Sequence, residues 1–85
     1  MELKDTAKLM ESTDFKDRTK AEYYQLKIRT EKLENMLNKY ENGTLDFVPN
    51  CSYDLLYTQL CSMKIYLNIL KERSRIEDID LTWEK

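Results

Sequence analysis

SYDLLYTQLCSMKIYLNILKERSRI, from Ser52 to Ile76, carries two apolar rows on one helical period. Leu56, Leu60, Met63, Leu67 and Leu70 follow one another at alternating spacings of four and three, the seam of a packed helix. Leu55, Tyr66, Ile69 and Ile76 form a second row one position off the first, with Gln59, Ser62 and Arg73 filling its gaps. A helix with two adjacent apolar rows needs neighbours on two sides. A chain of 85 residues supplies few of them, so self-association is the first inference.

The matching partner lies upstream. Between about Asp14 and Asn42, Tyr23, Leu26, Leu33, Leu37 and Tyr40 keep the same four-three spacing, with Thr19 and Thr30 in register and Tyr24, Ile28 and Met36 widening the face. Ser12, Thr13 and Asp14 are good helix caps, and Gly43 is the expected left-handed terminator. The connection through Leu45, Phe47, Val48 and Pro49 is short, and Leu45 and Phe47 are placed to cover the bottom of the pair; Asn50 or Ser52 caps the second helix. The expected fold is all-α: one domain over residues 1–85, an antiparallel two-helix hairpin (helix one about 14–42, helix two about 52–76) assembled as a homo-oligomer. Residues 1–11 read as a weak helix or frayed arm with Leu3, Ala7 and Met10 on one face. After Ile76, Ile79, Leu81 and Trp83 alternate with polar residues and predict an extended tail, docked on a neighbouring subunit or folded back on its own hairpin.

Composition narrows the function. The charged fraction is 35%, both signs are interspersed and the formal net charge is -2, so no global field draws a nucleic-acid polymer or an anionic membrane. No apolar run approaches the ~20 residues that span a bilayer, and MELKDTAKLM lacks the apolar centre of a secretory signal, so a cytoplasmic protein is expected. With no histidine, two cysteines (Cys51 and Cys61, read as free and reduced) and no CxxC pair, neither a metal site nor a disulfide framework nor a cofactor is expected. A missing histidine, glycine-rich loop and nucleophile motif leave no catalytic constellation, and the expectation is a non-enzyme. Glu31, Glu34 and Glu41 beside Lys27, Lys32 and Lys39 match ordinary ion pairing between helix neighbours, and Lys32, Lys39 and Lys64 read as solubilising.

Binding suits the residues better. A nucleotide needs flat faces for its bases and cations for its phosphates. An antiparallel hairpin puts DRTKAEYYQLKIR of helix one beside KERSR of helix two, and the candidate ligand-binding residues are Arg18, Tyr24, Lys27, Arg73 and Arg75, with Lys20 and Tyr23 nearby. Each has a bland reading too. Tyr23 falls in the seam and reads as core; Tyr24 reads equally as subunit contact; Arg73, and Arg18 with it, reads first as the partner of a carboxylate such as Asp17 or Glu22 across the hairpin and only second as facing an anion pocket.

Leu56, Gln59, Met63, Tyr66, Leu70 and Arg73 follow the pattern L-x-x-Q-x-x-x-M-x-x-Y-x-x-x-L-x-x-R, and a KL pair stands at Lys32–Leu33. Over residues 14–81 these features resemble small helical-hairpin proteins of phages and prophages related to the anti-CBASS and anti-Thoeris sponges. The resemblance implies a homo-oligomer, a tetramer or hexamer, that traps a small nucleotide messenger of bacterial immunity (a cyclic oligonucleotide or ADP-ribose derivative) without cleaving it. No ligand-contacting motif of that family carries over residue by residue. The competing expectation is a helical protein-protein interaction module of a phage with no small-molecule ligand.

Overall fold

The computed structural model describes residues 2–82, and Trp83, expected to dock with the tail, lies outside them. The described residues are helical with no strand. A short 3-10 turn, Leu3–Thr6, runs into α1 (Ala7–Met10), followed by α2 (Phe15–Asn42) and α3 (Tyr53–Ile76). The two long helices form the hairpin, and the short N-terminal elements pack against α2 alone.

Local chemistry sets each boundary. Asp14, the last of the three expected caps, is extended and its carboxylate accepts the Lys16 N–H, so that α2 begins at Phe15. Gly43, at φ 72°, ends it: its N–H reaches the carbonyls of Lys39 and Tyr40, and the Thr44 N–H also bonds Lys39 at 2.9 Å. Ser52 caps α3 through Leu55. At the far end Asp78 takes a left-handed φ of 56°, turning the chain so that the Ile79 N–H bonds the Ser74 carbonyl at 2.8 Å.

The core is thin. Six apolar side chains are buried among the described residues: Ala21, Tyr23, Leu37, Leu60, Leu70 and Ile79. Thr19 and Thr30 are buried in register, the latter donating to the Leu26 carbonyl. Tyr40, expected in the seam, is half exposed and lies against Tyr53, because the helices end there. The tail folds back on its own hairpin: Ile79 is buried, and the Tyr24 hydroxyl donates to the Leu81 carbonyl.

The N-terminal segment is a packed arm. Thr6 is fully buried; its hydroxyl donates to Leu3 and accepts from the Gln25 amide at 2.9 Å. Ala21 is also fully buried, about 160° around α2 from the core residue Tyr23 at 3.6 residues per turn. Cys51 and Cys61 are free and exposed.

Candidate functional site

Helical phase, more than proximity along the chain, decides which charged side chains meet at the open end of the hairpin. One side of the hairpin is marked by two contacts between the helices: Lys64 pairs with Glu34, and the Tyr53 hydroxyl donates to Glu41. Glu34 therefore pairs across the hairpin and Glu41 accepts from Tyr53, in place of the expected pairing with neighbours on α2. Lys27 stands seven residues before Glu34 and Arg75 eleven after Lys64, each within about 20° of its marker at 3.6 residues per turn. Lys27 and Arg75 thus share that side. Arg73 is turned about 160° from Arg75, and Arg18 about 120° from Tyr24, so these two arginines belong to the opposite side.

Their partners follow this division. Arg18 is exposed and donates from Nη1 to the Ser12 carbonyl at 2.9 Å, closing the turn before α2. Asp17, one expected partner of an arginine, instead accepts the Ser12 hydroxyl at 2.8 Å. Arg73 is exposed, and its guanidinium has no hydrogen bond or ion pair among the described residues. Arg75 places Nε 3.1 and 3.2 Å from the two oxygens of Glu72, which holds the Glu72 carboxyl below its ordinary range and the guanidinium above its own. Tyr24 meets Tyr23 edge-on at 5.1 Å, and the Lys27 ammonium lies 5.9 Å from the Tyr24 ring centre. Tyr24 and Lys27 are the predicted pair that the structure brings together, in a cavity of about 180 Å³ completed by Ile28 and Glu31.

Two larger cavities adjoin the predicted residues. One, about 430 Å³, lies between the arm and α2 and is walled by Leu3, Lys4, Ile28 and Lys32, with Glu2 paired to Lys4 at 3.6 Å. The other, about 440 Å³, lies between the second half of α2 and the loop after Gly43, lined by Lys32, Asn35, Met36, Lys39 and residues 44–47. Sequence reasoning assigned Lys32 and Lys39 to solubility and Phe47 to covering the helix ends. The signal that finds them is the seven-residue spacing of the lysines, which stacks them on the flank of α2 that the loop folds over.

The outer side of α3 is the other surface feature. Leu55, Ile65, Tyr66, Ile69 and Ile76 are all exposed, Ile65 and Ile76 by more than 60%. Four of them are the second apolar row, and Ile65 extends it. At the loop end Tyr40, Tyr53 and Tyr57 form a ladder with ring centres 5.4 and 5.9 Å apart. No group of three or more metal-ligating side chains occurs among the described residues, and no described helix is long and apolar enough to cross a membrane.

No curated protein and no solved structure matches the chain. A family model does, over residues 13–76, from the capping turn before α2 to the last residue of α3. The matched segment is the hairpin itself, with both its cavity-lining flank and its exposed apolar row, and the chain belongs to the family described as Sequestin.

Proposed function

We propose that this protein binds and sequesters a nucleotide-derived second messenger of bacterial immunity, a cyclic oligonucleotide or ADP-ribose derivative, without cleaving it, and that it does so in the cytoplasm of an infected or lysogenic host. The observation that carries the reading is membership of a family whose name denotes sequestration, over the whole hairpin. The sequence resemblance to phage sponges supports it independently, as does an inventory without histidine or a catalytic constellation. The protein acts as a homo-oligomer, a tetramer or hexamer, in which the exposed row of α3 is subunit contact. Arg18, Tyr24, Lys27, Arg73 and Arg75 hold the ligand; because one hairpin divides them between two sides, a shared pocket draws them from more than one subunit.

Thermal melting tests this. A ligand that binds only the folded state raises the melting temperature in proportion to the logarithm of its concentration over Kd. A panel of cyclic di- and trinucleotides and ADP-ribose derivatives contains at least one that raises it strongly, and mass spectrometry of the denatured complex recovers that ligand intact. A flat melting response across the panel rejects the reading, and a hydrolysed ligand rejects sequestration. Arg73→Ala abolishes the shift and keeps the oligomer; loss of the oligomer reassigns that arginine to the scaffold.

The exposed α3 row favours a second reading, a helical module that docks on another protein. That reading requires a monomer or simple dimer with no small-molecule response, and light scattering on the purified chain separates the two.

A further inference from the structure

The three cavities on the outer flank of α2 share walls. Ile28 belongs to the cavity at Tyr24 and to the one under the arm; Lys32 belongs to that one and to the cavity at the loop. They form one groove, from Tyr24 past Lys32 and Lys39 to Phe47, on the side of α2 turned away from α3. From Tyr24 to Lys39 it runs fifteen residues, about 22 Å of helix rise.

We propose that this groove is the ligand-binding surface and that its ligand is an elongated molecule with an aromatic ring near each end and phosphates between, the chemistry of a dinucleotide. The inference rests on the sequestration reading above and deepens it, since nothing so far assigns a site to Lys32, Lys39 or Phe47.

The order of chemical types along the groove carries the argument. An aromatic ring stands at each end: Tyr24 at one, and at the other Phe47, 53% exposed although it is a large apolar side chain. Lys32 and Lys39 lie between, two helical turns or about 10 Å apart. Neither side-chain ammonium has an ion-pair or hydrogen-bond partner among the described residues, so both are available to phosphate oxygens without breaking a contact. The acidic lining residues are placed as such a ligand requires. Glu31 accompanies Tyr24 and Asp46 precedes Phe47, beside the rings, where a carboxylate accepts from the amino groups of a base. The one carboxylate in the middle cavity, Glu2, is already paired with Lys4. Each larger lobe, at 430 and 440 Å³, is within the range of small-molecule sites.

The test is titration calorimetry on the full chain with cyclic di-AMP, cyclic di-GMP, cyclic tri-AMP and ADP-ribose, repeated on variants. Lys32→Ala and Lys39→Ala each weaken the binding nucleotide about tenfold or more, the size of one charge-assisted hydrogen bond. Phe47→Ala weakens it by a similar factor through lost stacking. All three side chains are exposed, so circular dichroism and melting of the unliganded variants stay as in the wild type, and Lys71→Ala, on α3, binds normally. Wild-type affinity in the three groove variants, with binding abolished by Arg18→Ala or Arg73→Ala, overturns the groove and leaves sequestration standing at the open end of the hairpin. If the wild-type chain binds none of the four, both the groove and the reading beneath it fall. Tighter binding of a single-stranded oligonucleotide than of any of the four overturns the dinucleotide assignment.

Discussion

Leu70 is the side chain on which this thin core depends most. It is fully buried, at the position on α3 where the hairpin opens, and the core holds few other apolar groups to take up the loss. Leu70→Ala is expected to cost about 2–5 kcal/mol, toward the upper end, because the side chain is wholly buried and the paired helices cannot collapse onto the void. Urea unfolding measures it as a lower midpoint with unchanged slope. Tyr53 offers a titration instead. Its hydroxyl donates to Glu41, and that bond, with a smaller contribution from desolvation, raises the phenol from 10.0 to about 12. The folded value is the higher one, so the bond's contribution to stability is whole below pH 10 and is lost as pH rises toward 12. Ultraviolet titration of the wild type against Tyr53→Phe shows this tyrosine ionising late, and Glu41→Gln brings it back toward the ordinary value. No late-ionising tyrosine in the wild type counts against the bond.

At the scale of elements, the arm behaves as a unit latched at Thr6. The Thr6 hydroxyl is buried between the Leu3 carbonyl and the Gln25 amide, so Thr6→Val leaves the shape filled but strands that amide. Amide exchange in residues 3–10 is expected to quicken at least tenfold in Thr6→Val while α3 keeps its protection; uniform quickening throughout the chain means the arm is part of the global unit. The hairpin was legible because its signals are local and redundant: caps at Asp14 and Ser52, a terminator at Gly43, and two seams of matching length. The arm was not. Leu3, Ala7 and Met10 share a face too small to announce a packed segment, and what fixes it is a buried threonine and a glutamine nineteen residues away, a pairing no periodicity encodes. Part of the candidate site was legible for the same reason as the hairpin: Tyr24 and Lys27, one turn apart, meet wherever α2 is a helix. Lys32 and Lys39 looked like solvated charge because what gives them a cavity is the fold of the loop over α2.

The whole molecule is too extended for its length. Its radius of gyration is 15.0 Å, where a compact chain of 85 residues has about 12 Å. Its accessible surface of 6286 Å² exceeds the roughly 5,400 Å² of a typical monomer of its mass. The excess includes the outer row of α3, and the pattern of that row suits a second copy. Leu55 and Ile76 close its ends and Ile65 and Tyr66 its middle, so reversing the helix sets Leu55 against Ile76, Ile65 against Tyr66, and small Ser62 against Ile69. A surface that meets its own reverse is what an antiparallel two-fold contact requires, and such contacts are building blocks of closed tetramers and hexamers. Ile65→Glu combined with Ile69→Glu puts two carboxylates into each half of that contact. Neither residue is buried within the hairpin, at 62% and 50% exposure, so helicity of the dissociated chain is preserved. Light scattering is expected to show a tetramer or hexamer for the wild type and a smaller species for the double variant. Because the pocket draws its arginines from more than one subunit, the smaller species binds its nucleotide at least about tenfold more weakly than the assembled form, a ratio worth about 1.4 kcal/mol. Binding unchanged within about threefold places every ligand contact on the α2 groove of a single chain, and a wild-type monomer removes the two-fold contact altogether.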